Sequence, residues 1–527
     1  MDATLLIWLL LTPLILSLIT FTARWPGPLT RPTVELFHLI SISLVLVLSL
    51  VVVADVLHDG SISALNDWLH VDALAAVFVL IIGLVGFLVG LYSIGFTRHA
   101  LETGEFDEGK LCNYYGLFSL FLFTMLMVVT ANNIIMMWVA VEATTLGSAF
   151  LVGIYGTRAA LEAAWKYVMI CTVGVAFGLY GTILVYSDAV NLLVHPEMAV
   201  LWTEIVESAY LLDATILKLA FVFILIGFGT KAGIFPMHAW LPDAQSEAPS
   251  PVSALLSAVL DACALFVIIR YYTIVSQAIG PEFPQTLLIV FGALSVAAAV
   301  FFMWGQRDIK RLLAYSSIEN IGLMVLALGI GGQFGILAAL LHAFNHSLVK
   351  SLLFCASGNI AIKYGTRNLE LVKGLLRVAP LTGVLLMGGA MALVGLPPFN
   401  IFVSKFWIVS AGIGLGYLWL MVPLLLLLMV VFFTYFRVLG ASVLGAAPPE
   451  VTGGRLSFLT QAPIAILLVL ILVLGLYLPP QLSFLLNDAA SVVLTGFGLQ
   501  TAAVPLPSAL AQPGDFILPL IGLFTLR

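Results

Sequence analysis

In the stretch H-A-F-N-H-S-L-V-K, His342, His346 and Lys350 recur at i, i+4 and i+8. On a helix this spacing stacks the three side chains on one face over about 12 Å. An imidazole accepts on one nitrogen while donating from the other, so two in line with a lysine fit a proton wire. Two histidines at i, i+4 also suit a metal ion, but no third ligand stands nearby in the sequence, and no metal is expected. More ionisable residues interrupt apolar runs: Glu142 in M-W-V-A-V-E-A-T-T-L, Lys166 in E-A-A-W-K-Y, Lys231, Asp261, Glu319 and Lys405. On the insertion scale an Asp, Lys or Arg at the centre of a membrane helix costs about 2.5–3.5 kcal/mol. Structural ion pairs account for one or two such residues; a row of them points to ion movement.

Glu142 and Lys231 suggest a switching pair. A carboxylate beside a buried lysine favours the charged ammonium. If Glu142 turns to Lys166 instead, Lys231 loses that support and releases its proton. Asp261, Glu319, His238 and Asp243 are secondary candidates. His238 and Asp243, with Glu247, read equally well as solvated or capping groups near a loop. Arg307, Asp308, Lys310 and Arg311 read as an ordinary cytoplasmic anchor, and Asn132–Asn133 as a connector.

The elements that must position these residues are membrane helices. Of 527 residues, 62% are hydrophobic and 9% charged, with a mean hydropathy of +1.14. A soluble domain carries about 25% charged residues, so lipid is the solvent here, and the net charge of −6 says little about partners. At about 20 apolar residues per span, the chain divides into about fourteen transmembrane helices between residues 4 and 486. Lys and Arg concentrate after odd-numbered spans: Arg24, Arg31, Arg98, Lys110 and Arg158, then Arg307, Lys310 and Arg311, then Lys363, Arg367, Lys373 and Arg377, and finally Arg437 and Arg455. By the positive-inside rule both termini face outward. The tail after Asp488 promises no further span, although Phe516–Leu526 suits the interface.

Two spans are interrupted, at Gly229–Pro242 (span 7) and Val394–Phe406 (span 12). Paired breaks in two halves of a chain point to a transporter's ion path. Each has a lysine beside its glycine–proline element, and the breaks lie five spans apart. We therefore expect two inverted five-helix repeats, spans 4–8 (residues 111–275) and 9–13 (residues 284–438). They are preceded by spans 1–3 (residues 1–100) and followed by span 14 and a tail (residues 439–527).

Other chemistries find no support. Cys112, Cys171, Cys263 and Cys355 are far apart and lie in apolar stretches, so they read as buried thiols and not as a cluster or zinc site. No phosphate loop, nucleophile elbow or nucleotide fingerprint is present, and nothing suggests nucleic acid. The N-terminus, M-D-A-T-L-L-I-W-L-L, lacks a basic segment and a small-residue cleavage site, and reads as a retained first span.

The stretches G-T-K-A-G-I-F-P-M-H-A-W-L-P-D-A-Q-S-E-A-P-S-P-V-S-A-L-L and R-D-I-K-R-L-L-A-Y-S-S-I-E-N-I-G resemble the Mrp antiporter-like subunits. That family occurs in respiratory complex I, multisubunit cation/proton antiporters and membrane-bound [NiFe]-hydrogenases. The match runs from about residue 70 to 440. C-N-Y-Y-G-L-F, L-E-A-A-W-K-Y, W-K-Y-V-M-I-C-T-V-G-V-A-F-G-L-Y-G-T and L-P-P-F-N-I-F are most similar to the F component of hydrogenase-4. The resemblance implies an all-α polytopic fold of fourteen helices with inverted repeats and a hydrophilic axis at the bilayer midplane. It implies that Glu142, Lys166 and Lys231 match the family's glutamate of helix 5, lysine of helix 6 and lysine of broken helix 7. Lys405 takes the exit-side position, where hydrogenase-4 relatives carry glutamate. Asp261 stands near a position where many members place lysine or histidine.

Together these readings describe a proton-translocating subunit of a hydrogenase-type or complex I-like respiratory assembly in a bacterial or archaeal cytoplasmic membrane. This chain would hold no cofactor; a [NiFe] centre and iron–sulfur clusters would sit in partner subunits. The alternatives are a Na+/H+ antiporter subunit and the membrane subunit of a proton-driven inorganic-carbon uptake complex. A passive scaffold is disfavoured, because it has no use for costly mid-membrane charges.

Overall fold

The computed structural model describes residues 2–23, 30–193, 195–448, 451 and 456–496. Arg24, Arg455 and the Phe516–Leu526 segment lie outside them. The chain folds as helices α1 (Asp2–Thr22), α2 (Thr30–Asp59), α3 (Ala73–Glu102), α4 (Glu108–Thr130), α5 (Ile134–Val152) and α6 (Arg158–Leu192). A short α7 (Trp202–Glu207) precedes α8 (Ala214–Ala232), α9 (Leu241–Glu247), α10 (Ser250–Leu255) and α11 (Asp261–Ile279). Then come α12 (Glu282–Met303), α13 (Ile309–Ile330), α14 (Gly332–Tyr364), α15 (Leu375–Val378), α16 (Pro380–Val394) and α17 (Asn400–Gly414). The last are α18 (Leu418–Leu444), α19 (Phe458–Leu476) and α20 (Pro480–Thr495). Among the described residues, 13 helical segments are long and apolar enough to cross a membrane, Ser250–Ile279 counted as one. α16 and α17 are shorter apolar helices flanking the second break.

Polar caps set several helix starts, as orphan backbone N–H groups require. Asp72 caps α3 through Ala75, Asp107 caps α4 through Lys110, and Asp213 caps α8. Asn133 caps α5, while Asn132 donates to the Asp67 carbonyl and to Thr203. The Asn132–Asn133 pair is thus a hub joining three loops, and not a bare connector. The connection between α2 and α3 forms a small antiparallel hairpin, β1 (Ile62–Ala64) on β2 (Leu69–Val71). The expected span 14 (residues 461–486) splits at Leu478–Pro479 into α19 and α20, because Pro479 and Pro480 cannot continue the hydrogen-bond ladder.

The layers follow from what each helix carries. The central stretches of the 250–279 segment and of α14 are wholly enclosed by the other helices. These two hold Asp261 and the His342–His346–Lys350 face. Close packing of α6 on α8 uses the small residues of V-G-V-A-F-G-L-Y-G: a Cβ at Gly181 would stand 2.8 Å from the Ala220 carbonyl oxygen. All four cysteines are buried, and none forms a disulfide among the described residues.

Candidate functional site

The first break positions Lys231. α8 ends at Gly233, whose φ of 77° is the left-handed conformation that glycine tolerates. The freed Thr230 carbonyl accepts the Trp240 indole N–H at 2.8 Å, and Trp240 packs on the Tyr167 ring with centroids 4.6 Å apart. Backbone freed in a membrane must find protein partners, and this one does. Lys231 is fully buried and donates to Thr145 Oγ1 at 2.8 Å and the Tyr167 hydroxyl at 2.7 Å. Tyr167 in turn is 2.7 Å from the Ser148 hydroxyl. Hydroxyls both donate and accept, so this cluster has the chemistry of a relay.

The second break repeats the device. α16 ends at Gly395, with φ 91°. Its freed Leu393 carbonyl accepts from Lys405 Nζ at 3.1 Å, and the same ammonium is 3.0 Å from Glu319 Oε1. Glu319 is fully buried and Lys405 nearly so. Asn320 Nδ2 donates to Glu319 Oε2 at 2.6 Å and to the Ser316 carbonyl at 2.7 Å. Asn320 Oδ1 is 3.0 Å from His342 Nε2, and His342 Nδ1 is 2.8 Å from the Ser404 hydroxyl. Glu319, Lys405, Asn320, His342 and Ser404 therefore form one buried network.

Between the two breaks lie Asp261 and Lys350. Lys350 donates to the Leu313 carbonyl at 2.6 Å and to the Ser316 hydroxyl. A π-helical turn at Leu256–Leu260 delivers Asp261 to the bundle centre, where it is fully buried. Gln245 Nε2 reaches Asp261 Oδ2 at 3.3 Å. Gln245 Oε1 accepts from the Ser317 hydroxyl at 3.4 Å, and Ser317 is 2.7 Å from Ser257. Asp261 Oδ1 and His346 Nε2 are buried without a protein partner. Helix α14 does align His342, His346 and Lys350, but no hydrogen bond joins the three to one another.

Several expectations need correction. Glu142 pairs with neither lysine: Oε1 accepts from the Thr172 hydroxyl at 2.7 Å, and Oε2 is buried without a partner. Lys166 lies outside the buried networks. Its side chain is 48% exposed and bridges Glu162 at 2.8 Å and Asp243 at 3.3 Å. Asp243 also pairs with Arg311 at 3.0 Å, so it belongs to that surface cluster. The sequence could not reveal this, because α6 begins only two turns before Lys166 and runs on to Leu192. His238 sits in the first break against Phe235 and Phe302, away from the buried networks, with Nδ1 unpartnered. The Arg307–Arg311 stretch is more than an anchor. Asp308 caps α13, and Lys310 is buried with its ammonium on the Ala248 carbonyl, lining a cavity of about 660 Å³ with Glu105, Glu247 and Arg367.

Tyr167, Thr145, Gln245, Asn320 and Ser404 were not singled out from sequence. Only Asn320 carried a signal, as the neighbour of Glu319 in Y-S-S-I-E-N; membrane Ser, Thr and Tyr are too common to mark themselves. Among the described residues, no group of three or more His, Cys, Asp or Glu could hold a metal ion.

A family model described as NADH:quinone oxidoreductase/Mrp antiporter, TM, matches residues 131–434. That segment holds every residue of the buried networks. The chain is 40% identical over 344 residues to a hydrogenase-4 component F homolog of Methylacidiphilum infernorum, covering 65% of this chain and 72% of that one. It is 32% identical over 423 residues to NADH-quinone oxidoreductase subunit N of Desulforudis audaxviator, covering 77% and 80%. Among solved structures, a chain of the membrane-bound sulfane sulfur reductase, an archaeal respiratory membrane complex, superposes with a TM-score of 0.81 at 26% identity, over 93% of this chain and 98% of that one.

Proposed function

This chain belongs to the NADH:quinone oxidoreductase/Mrp antiporter membrane family, and from that premise we propose that it is the proton-translocating, antiporter-like subunit of a hydrogenase-type or complex I-like respiratory assembly. The observation that carries this reading is the buried Glu319–Lys405 pair, hydrogen-bonded through Asn320 to His342 at the second broken helix. A fully enclosed ion pair is poor value for stability alone, since well-packed apolar residues do as well or better. Its worth lies in being able to change charge.

The relay would run from Glu142, through the Lys231–Tyr167–Thr145 cluster, past Asp261 and Lys350, to Glu319 and Lys405. Spans 4–8 and 9–13 would be inverted repeats, each contributing one broken helix and one buried lysine beside it. Redox chemistry would occur at a [NiFe] centre and iron–sulfur clusters in partner subunits. Glu142 lies on the α5–α6 side of the bundle, where Val139, Leu146, Trp165 and Val173 are exposed. Such a face suits a neighbouring membrane subunit that shifts the charge on Glu142 and starts the relay. The chain would lie in the cytoplasmic membrane of a bacterium or archaeon, with both termini outward.

Glu142→Gln in the intact complex, reconstituted into liposomes, tests the reading. Subunit composition by mass spectrometry should stay unchanged while proton movement, read by a pH dye, is abolished. Normal pumping in that variant overturns the proposal. Sodium flux measured in the same vesicles decides against the Na+/H+ alternative, and a co-purifying zinc enzyme in place of a redox subunit would favour inorganic-carbon uptake.

A further inference from the structure

Where α12 ends, α13 begins and α18 finishes, a cavity of about 430 Å³ opens among Trp304, Arg307, Glu370, Lys373 and Arg437. Three cations there face one carboxylate. Arg437 is held in place: its guanidinium lies over the Trp304 ring, 4.6 Å from the centroid, and donates to the Trp304 carbonyl at 3.0 Å. Arg307 pairs with Glu370 at 3.3 Å. The Lys373 carbonyl accepts from the Tyr364 hydroxyl at 2.8 Å, which fixes its backbone. Its ammonium has no ion-pair partner among the described residues.

The same segments carry an apolar surface. Phe301, Leu371, Phe436 and Leu444 are 78%, 59%, 71% and 68% exposed. In a bundle that crosses a membrane, side chains like these meet acyl chains, while the basic cavity lies at their polar boundary. A free anion would use the cations and ignore the apolar surface; a zwitterionic lipid offers the same phosphate, but the ammonium it carries beside that phosphate is repelled by three cations, so it gains less from them. We propose that this cavity binds the phosphate headgroup of an anionic phospholipid, with Arg437, Lys373 and Arg307 on the phosphate and the acyl chains along the α12–α18 face. Guanidinium forks match phosphate geometry, and basic pockets between membrane helices take anionic headgroups. The volume is within the range of small-molecule sites, roughly 300–1,000 Å³. A lipid seated there would tie α18 to α12 and the 366–374 segment, whatever ion the buried networks carry.

Native mass spectrometry of the intact complex tests this, with phosphatidylglycerol, phosphatidylcholine of matched chains, or inorganic phosphate as the probe. The wild type should retain one phosphatidylglycerol under conditions that strip phosphatidylcholine. The Lys373→Gln/Arg437→Gln variant should bind it at least about tenfold more weakly, while Arg158→Gln at the same end of the bundle leaves affinity unchanged. Should the double variant fail to assemble, Lys373→Gln alone, whose ammonium has no ion pair to lose, should still weaken binding several-fold. Unchanged affinity in these variants, equal retention of phosphatidylcholine, or full displacement of the lipid by inorganic phosphate each overturns the proposal.

Discussion

Removing one partner of the Glu319–Lys405 pair strands the other inside the bundle. Breaking a buried pair in this way costs about 3–5 kcal/mol, so Lys405→Gln should lower the melting temperature of the complex clearly. Glu319→Gln added to it should restore most of that loss, because two neutral amides can hydrogen-bond to each other and to Asn320. Proton movement should be absent in both variants. A double variant that melts no higher than Lys405→Gln would show that the pair is not the source of the cost. Both residues were legible in the sequence as misplaced charges, but their partnership was not. They are 86 positions apart, and nothing in either local pattern names the other. Lys166 shows the opposite failure: the apolar letters around it suggested depth, yet Glu162 one turn earlier is its actual partner.

At the scale of elements, the two breaks were readable because Gly and Pro announce themselves. What was not readable is how separate elements are clamped. Asp72 caps α3 and also grips Arg270 of α11 through two bonds of 2.6 and 2.9 Å. Trp202 of α7 stacks on that guanidinium at 4.1 Å and donates its indole N–H to the Arg270 carbonyl. Three segments meet there, midway along the helix that begins at Asp261. Burial alone would push the Asp72 carboxyl up, but the Arg270 guanidinium outweighs it and holds the group below the ordinary carboxylate range. A carboxyl lowered in the folded state contributes stability at neutral pH, which is lost as pH falls through the lowered value. Asp72→Asn keeps the cap but loses the ion pair, so it should destabilise by about 3–5 kcal/mol at pH 7. The gap to wild type should close as the pH drops below the carboxylate range, measured by melting curves across pH. A gap that stays constant would mean the clamp acts through packing alone.

For the whole molecule, the row of charges proves to be two well-connected clusters with a sparse middle. The Lys231 cluster and the Glu319–Lys405 cluster each satisfy their polar groups locally. Asp261 stands between them, hydrogen-bonded to Gln245 and with Oδ1 unpartnered. From sequence, its negative charge looked like a gap where a basic residue belongs. In the fold it sits, fully buried, in the middle of the enclosed 250–279 segment. The reversal was not legible because the π-helical turn just before Asp261 alters which way the side chain faces, and no local residue marks that turn. If Asp261 carries protons between the clusters, Asp261→Asn should separate structure from transport. The amide has the same shape and can still accept from Gln245, and burying a neutral group costs less than burying a carboxylate. Assembly and melting temperature should therefore be unchanged or slightly raised, while proton movement per redox turnover falls close to zero. Asp261→Glu, which keeps a titratable group, should recover part of it. Full pumping in the asparagine variant would show that protons pass from one cluster to the other without this carboxylate.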